Sequence, residues 1–119
     1  MTEIVKPELK EGEIYAGAII NPDGTGHHII LLVGDKNDGN WDDAMSWAKE
    51  LGGDLPNRVE SALLFNQSKD QFKEEWYWTN EQHASNSDFA WYQDFYTGYQ
   101  GFWTKDHVLR ARAVRRLVI

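Results

Sequence analysis

The hydrophobic pattern of this chain changes its period once, and this change limits the fold classes that it can adopt. Between residues 40 and 66 apolar side chains recur at helical spacing, whereas after Lys73 short aromatic segments alternate with polar residues, as in strands. Separate blocks of strands and helices, without a repeating strand–helix order, are typical of α+β proteins. The sequence therefore predicts an α+β fold with an N-terminal β-hairpin, two helices and a late antiparallel sheet.

Both helices are predicted from their ends as much as from their apolar faces. Asn40 is a favourable N-cap residue for the first helix, and Gly52-Gly53 supplies a left-handed stop after it. Asn57 and Glu60 have capping-box spacing at the start of the second helix, which we expect to end near residue 66. The buried face of the first helix is expected to contain Ala44, Trp47, Ala48 and Leu51.

Strands are predicted on both sides of the helices. Residues 13–20 and 27–33 flank the turn sequence Asn21-Pro22-Asp23-Gly24 and form the predicted hairpin, with a polar loop at 34–39 behind it. One terminal strand at 108–119 is expected near the centre of the late sheet. The other late strands are predicted at 76–79, 90–95 and 102–104.

The composition fits one domain that is stabilised by packing. The chain has 119 residues, 41% hydrophobic and 13% aromatic, which is enough for one core. It has no cysteine, and this excludes disulfides, thiolate zinc sites and cysteine nucleophiles. We expect an N-terminal arm at residues 1–12 and a single domain at residues 13–119, because the arm has little to bury.

The charge of the chain argues against two classes of partner. At a net charge of −7 we expect no binding to nucleic acid or to a membrane surface, since both require an excess of Lys and Arg. Residues 1–10 contain no hydrophobic run, so we expect synthesis in the cytoplasm without a secretory signal. Association with a virion would leave no mark in the sequence and stays open.

Four segments resemble a bacterial and phage domain group of C-type-lectin-like fold. They are GNWDDAMSWAKELGGDLPNRVE at 39–60, WYWTNEQ at 76–82, FAWYQDF at 89–95 and RARAVRRL at 110–117. The group is related to formylglycine-generating enzymes and to phage variable receptor-binding proteins. The resemblance covers about residues 12–119 and implies the fold, a phage or prophage origin and ligand binding at the late loops. It supports architecture more strongly than activity.

Two departures from related proteins narrow the expected chemistry. The late loops lack the Glu-Pro-Asn, Gln-Pro-Asp and Trp-Asn-Asp motifs by which animal C-type lectins bind calcium. Formylglycine-generating enzymes use cysteine chemistry, which a chain without cysteine cannot perform. We therefore expect neither calcium-dependent sugar binding nor that enzymatic activity.

Histidines and carboxylates give no clear catalytic or metal site. His27 and His28 are adjacent on a predicted strand and should point to opposite faces, so they are not expected to share a metal ion. Asp88, Asp94 and Asp106 lie in or beside late loops, but their spacing does not single out a catalytic pair. We expect no catalytic residue and no cofactor, although a metal-assisted hydrolase remains a weaker alternative.

The arginine-rich terminal segment allows two interpretations. Arg110, Arg112, Arg115 and Arg116 could form a recognition patch for carboxylates or phosphates. The resemblance instead implies structural roles for Arg112 and Arg115, which would pair with acids such as Glu60. We favour the structural interpretation and count Trp41, Trp47 and Glu60 as structural residues as well.

The late loops are the favoured binding region because they combine rigid aromatic side chains with adaptable polar ones. Tyr96, Tyr99 and Trp103 are the strongest candidates for exposed contacts with a protein or glycan ligand. The other candidates are Tyr92, Asn86 and Asp88. The alternative function is a structural subunit that assembles through the arm and the apolar hairpin, and either function is compatible with a homo-oligomer.

Overall fold

Two β-sheets and two helices build the fold in the computed structural model, which describes residues 5–119. The elements are β1 (Ile14–Ile20), β2 (Gly26–Leu31), β3 (Lys36–Gly39), α1 (Trp41–Glu50), α2 (Arg58–Gln67), β4 (Trp76–Gln82), β5 (Phe89–Asp94), β6 (Gln100–Thr104), β7 (Leu109–Ala111) and β8 (Val114–Val118). The predicted α+β class is thereby confirmed, with its hairpin, its two helices and its late sheet. Neither helix within residues 5–119 is long and apolar enough to cross a membrane.

The smaller sheet has the strand order β1-β2-β8, and both of its pairings are antiparallel. The β1–β2 hairpin turns through the predicted sequence, where the Gly24 amide donates to the Asn21 carbonyl at 2.9 Å. A bulge between Tyr15 and Gly17 interrupts β1, and Gly17 has a φ of 134°, a conformation that side-chain-bearing residues rarely adopt.

The larger sheet has the order β3-β7-β4-β5-β6 and is antiparallel apart from one parallel bridge between Tyr77 of β4 and Arg110 of β7. The prediction of one terminal strand at 108–119 was wrong. The chain leaves the pairing of β7 after Ala111, and the Ala113 carbonyl accepts a hydrogen bond from the Leu32 amide at 3.0 Å. It thereby passes from β7 in one sheet to β8 in the other. The predicted loop at 34–39 contains the short strand β3.

The helix ends follow the predicted capping chemistry. The Asn40 side chain accepts a hydrogen bond from the Asp43 amide at 2.9 Å, and Gly52 adopts a φ of 82° just after α1. At the start of α2, Asn57 and Glu60 form both bonds of a capping box, each at 2.8 Å. Local sequence therefore sets where the two helices begin.

Each helix covers a different cluster of buried apolar side chains. Ala44 and Ala48 of α1 are fully buried in a cluster with Trp78 of β4, and Trp41 and Trp47 border it. The Trp41 indole also donates to the Thr79 carbonyl at 2.8 Å. The second cluster joins α2 to both sheets and contains Ile29, Leu31, Leu64, Tyr77, Phe95 and Val114.

Glu60 forms a buried ion pair, but its partner is not one of the two arginines that were predicted. Its buried carboxylate accepts two bonds from Arg116, at 2.6 and 2.7 Å, and contacts His27 Nε2 at 2.7 Å. Burial alone would raise the pKa of Glu60, but the hydrogen bonds from Arg116 and the Asn57 amide outweigh it and lower the pKa. The expected pairing of Glu60 with Arg112 or Arg115 was wrong, because the register of β8 directs Arg116 toward α2.

Arg112 and Arg115 hold other parts of the chain. Arg112 donates to the carbonyls of Gln71 and Leu32 at 2.7 and 2.8 Å, which anchors the passage between β7 and β8. Arg115 forms a two-bond ion pair with Glu13, both bonds at 2.9 Å, and also donates to the Glu8 carbonyl at 3.4 Å. The described part of the arm therefore contacts the smaller sheet. The boundary between arm and domain stays a prediction, and residues 1–4 lie outside the described residues.

Candidate functional site

A stack of aromatic rings lies on the face of the larger sheet where β4, β5 and β6 run side by side. Trp76 is parallel to Tyr92, with 4.2 Å between the ring centroids. Trp103 of β6 lies 5.4 Å from Trp76, and His107 meets Trp103 edge-on at 4.8 Å. The stack holds Trp76 and Trp103 in fixed positions at the border between core and solvent.

Beside this stack is an open cleft of about 430 Å³, which we call the Trp76 cleft. Three segments form most of its walls: the residues entering β4, the turn after β5, and the start of β7; Asn37 of β3 completes them. The parallel bridge between β4 and β7 brings the first and third together. The lining residues are Asn37, Glu74, Glu75, Trp76, Asp94, Tyr96, Val108, Leu109 and Arg110.

The turn after β5 presents Tyr96 to the cleft on a fixed backbone. The Asp94 carboxylate accepts bonds from the Tyr96 amide and the Thr97 hydroxyl, both at 2.8 Å. Burial would raise the pKa of Asp94, but these bonds outweigh it and lower the pKa. The Tyr96 side chain is 64% exposed, so its ring is available for contact while its backbone is held.

Tyr99 lies beside the same stack, and the position of its ring requires a glycine at residue 101. A Cβ at Gly101 would lie 2.6 Å from the Tyr92 hydroxyl and 2.9 Å from Cε2 of Tyr99. Gly101 therefore allows both tyrosines to approach the β6 backbone closely. Tyr99 remains 65% exposed.

The structure corrects the prediction that Tyr92 contacts the ligand, because Tyr92 is only 5% exposed and belongs to the core. It alternates with Trp91 along β5, and the alternation turns the Tyr92 ring toward the cluster under α1. Burial raises the pKa of the Tyr92 hydroxyl, and the nearby Tyr99 and Asp94 add to this effect. Its role is to support Trp76 from behind.

Asn86 and Asp88 lie at the opposite end of β5 from Tyr96 and Tyr99. Six residues of strand separate the two ends, or about 20 Å at 3.3 Å per residue. The Asn86 side chain accepts from the Asp88 amide at 3.0 Å and so shapes its own turn. Asp88 borders a separate cleft of about 350 Å³ with Thr104, Lys105 and Asp106. The six predicted contact residues therefore do not form one patch.

Acidic groups dominate the charge around the Trp76 cleft. Glu74, Glu75 and Asp94 line it, and among the described residues Arg110 is the single cation in its lining. Arg110 is bound to Glu75, donates to Asn37 at 3.0 Å and lies 3.8 Å from Asp35. The bond to Glu75 raises the pKa of Arg110, which stays charged. The cleft therefore disfavours anions and suits neutral or cationic groups.

A second aromatic group lies on the other face of the β5–β6 pair, and sequence reasoning missed it. Trp91 meets Phe102 edge-on at 5.2 Å and is nearly parallel to His83 at 5.5 Å, while Phe89 lies 5.6 Å from Phe102. The Arg58 guanidinium lies 3.6 Å from the centroid of Trp91. The strict alternation along β5 and β6 was the signal that could have separated this group from the Trp76 stack.

The two histidines of β2 are engaged on different elements. His28 bonds the Tyr15 hydroxyl at 2.7 Å, whereas His27 contacts Glu60 of α2. Within residues 5–119 no group of three or more His, Cys, Asp or Glu side chains has an arrangement that could hold a metal ion.

Comparisons with known proteins identify no family for the chain. No protein-family model matches it, and a search of curated proteins gives no significant match.

Proposed function

We propose that the chain is a non-catalytic binding module of C-type-lectin-like fold, of phage or prophage origin, which binds a protein or glycan ligand at the Trp76 cleft. The proposed family rests on the sequence resemblance, and the order of hairpin, two helices and late sheet is compatible with it. The proposal places the ligand at one end of the late sheet, as the resemblance implies for late loops.

The observation that carries the proposal is the convergence of three exposed aromatic residues on one ring stack. Tyr96, Tyr99 and Trp103 were chosen from composition. Trp103 contacts Trp76, Tyr99 lies beside Tyr92 at Gly101, and Tyr96 lines the cleft together with Trp76. Rigid aromatic residues contribute much contact area and lose little conformational entropy on binding, which favours this place over the polar turns at Asn86 and Asp88.

The charge of the cleft restricts the ligand further. Its carboxylates and its engaged arginine favour a neutral sugar ring or the lysine or arginine side chain of a protein over a phosphate or sulfate group. Either favoured group can stack on an indole face. Because Asp94 already accepts bonds from its own turn, it supports the shape of the cleft and not acid–base chemistry.

The binding test compares matched surface variants. Ligands are first selected by screening the full chain against an array of neutral glycans and a displayed peptide library. Tyr96→Ala should then weaken binding of the selected ligand at least about tenfold, or about 1.4 kcal/mol, while its melting temperature stays close to that of the unchanged chain. Val118→Ala is the control, since Val118 is 88% exposed but lies in the smaller sheet. Equal affinity of the two variants for every selected ligand would refute the site.

A structural subunit is the second candidate function, and one observation favours it. Ile20, Leu117, Val118 and Ile119 are 38–88% exposed at one end of the smaller sheet, where the hairpin closes. Sedimentation of the full chain against a chain starting at Gly12 tests the predicted role of the arm. Loss of an oligomer on truncation would support assembly through the arm, and an unchanged state would oppose it.

A further inference from the structure

The edge strands of the two sheets differ in how they are protected against pairing with another strand. A free edge normally carries a charge, a proline or a bulge that prevents such pairing. The edge strand β1 has its bulge at Tyr15, and β3 has Lys36 and an irregular register. Strand β8 carries Arg115 and Arg116 and is bridged to Asp54 at its start.

Strand β6 is the exception among the edge strands within residues 5–119. Its sequence, Gln100 to Thr104, contains no charge and no proline, and its register with β5 is unbroken over five pairs. Phe102 is 43% exposed and Trp103 is 38% exposed. As neighbours on a strand they project to opposite faces, so an incoming strand would find an aromatic side chain on each face.

We propose that β6 pairs antiparallel with β6 of a second copy of this chain and joins two five-stranded sheets into one continuous sheet. When the two-fold axis passes between the two Phe102 residues, each residue of the strand lies across from a suitable partner of the other copy. The two Phe102 residues lie across from each other, Gln100 lies across from Thr104, and Gly101 lies across from Trp103. The small residue thus lies across from the large one on both sides of the axis.

The self-complementary register of the uncharged strand Gln100–Thr104 is what selects a second copy as the occupant. The chain carries a net charge of −7, so two copies repel each other over most approaches. An uncharged strand is the place where they can meet without opposing like charges across the ladder. Lys105 follows the strand, but the antiparallel register places it across from Tyr99, and its ammonium already donates to Gln82 at 2.7 Å. This inference goes beyond the proposed ligand site and does not depend on it.

The first test is sedimentation of the full chain over about a hundredfold range of concentration. The unchanged chain should form a dimer with rising concentration. Phe102→Lys should weaken dimerisation at least about tenfold, since it places two cations across the axis. Val59→Lys is the matched control, because Val59 is 63% exposed on α2 and lies outside the strand edge. A chain that stays monomeric throughout, or a dimer that both variants weaken equally, would overturn the proposal.

The second test uses the absence of cysteine in the chain. Phe102→Cys introduces a single thiol, and residues across an antiparallel pair have Cα atoms about 4.5–5.5 Å apart, which a disulfide can span. Oxidation should give a covalent dimer with Phe102→Cys and much less with Val118→Cys. Equal cross-linking of both variants, or none with Phe102→Cys, would contradict pairing at β6. Hydrogen exchange on the unchanged chain avoids any effect of substitution on folding: the amides of β6 should gain protection with concentration, and no change would also refute the proposal.

Discussion

Removing the charge of Glu60 is the most informative single change for the stability of the fold. Its carboxylate is fully buried and accepts two bonds from Arg116, one from the Asn57 amide, and a contact from His27. A hydrogen bond to a charged group contributes about 1.5–3 kcal/mol, and removing one partner of a buried ion pair costs about 3–5 kcal/mol. Arg116 keeps bonds to Asp54 and Leu55, which places the expected loss near the lower limit.

The expected result is that Glu60→Gln lowers the free energy of unfolding by about 3 kcal/mol. Urea denaturation at neutral pH measures this value, and an unchanged slope against urea concentration shows that the native and unfolded states stay comparable. Glu74→Gln is the control, because Glu74 is exposed and should change stability by less than about 0.5 kcal/mol. A loss below about 1 kcal/mol for Glu60→Gln would mean that the network contributes no more than a surface ion pair, which would refute the reasoning.

Two further predictions concern the arm and the ring stack. The Arg115 side chain holds the pKa of Glu13 at about 2, below its ordinary 4.5, so the stability from this pair is present above the ordinary value and is lost as the pH falls toward 2. Arg115→Gln should flatten this part of the stability–pH profile, measured by thermal melting, and an unchanged profile would contradict the assignment. Gly101→Ala should destabilise the chain by about 1–3 kcal/mol, because the new methyl group would lie 2.6 Å from the Tyr92 hydroxyl. The Tyr92 ring carbon Cζ and Tyr99 Cε2 would also lie within 2.9 Å of this methyl group, so no single hydroxyl is responsible. Urea denaturation measures the loss, and a change below about 0.5 kcal/mol would contradict the close approach.

Local chemistry explains which parts of the fold could be predicted from the sequence. Asn40 and the Asn57–Glu60 pair satisfy amides within their own first turns, so the helix starts were correct. The break between β7 and β8 depends on the hydrogen bond from the distant Leu32 amide to the Ala113 carbonyl, and no local pattern marked it. The partner of Glu60 was missed for a related reason: a shift of one residue in β8 changes which arginine faces α2.

The candidate site was predictable only in part. Tyr96 and Tyr99 are in a polar turn and are exposed, as their surroundings suggested. Trp76, Val108 and Arg110 come from segments more than thirty residues apart and meet only through the pairing of β4 with β7. Periodicity identifies strands but does not tell which strands are neighbours. For this reason, the cleft itself could not be found from the sequence.

The most direct measurement of the central claim is mapping of the six tryptophan indole N–H signals by NMR during titration with the ligand selected in the screen. Ligand binding at the Trp76 cleft should shift the signals of Trp76 and Trp103 and leave that of Trp47, which borders the cluster under α1, nearly unchanged. If the ligand binds while Trp76 and Trp103 stay in place and Trp91 alone shifts, the binding site lies on the opposite face of the sheet, and the proposed site is wrong.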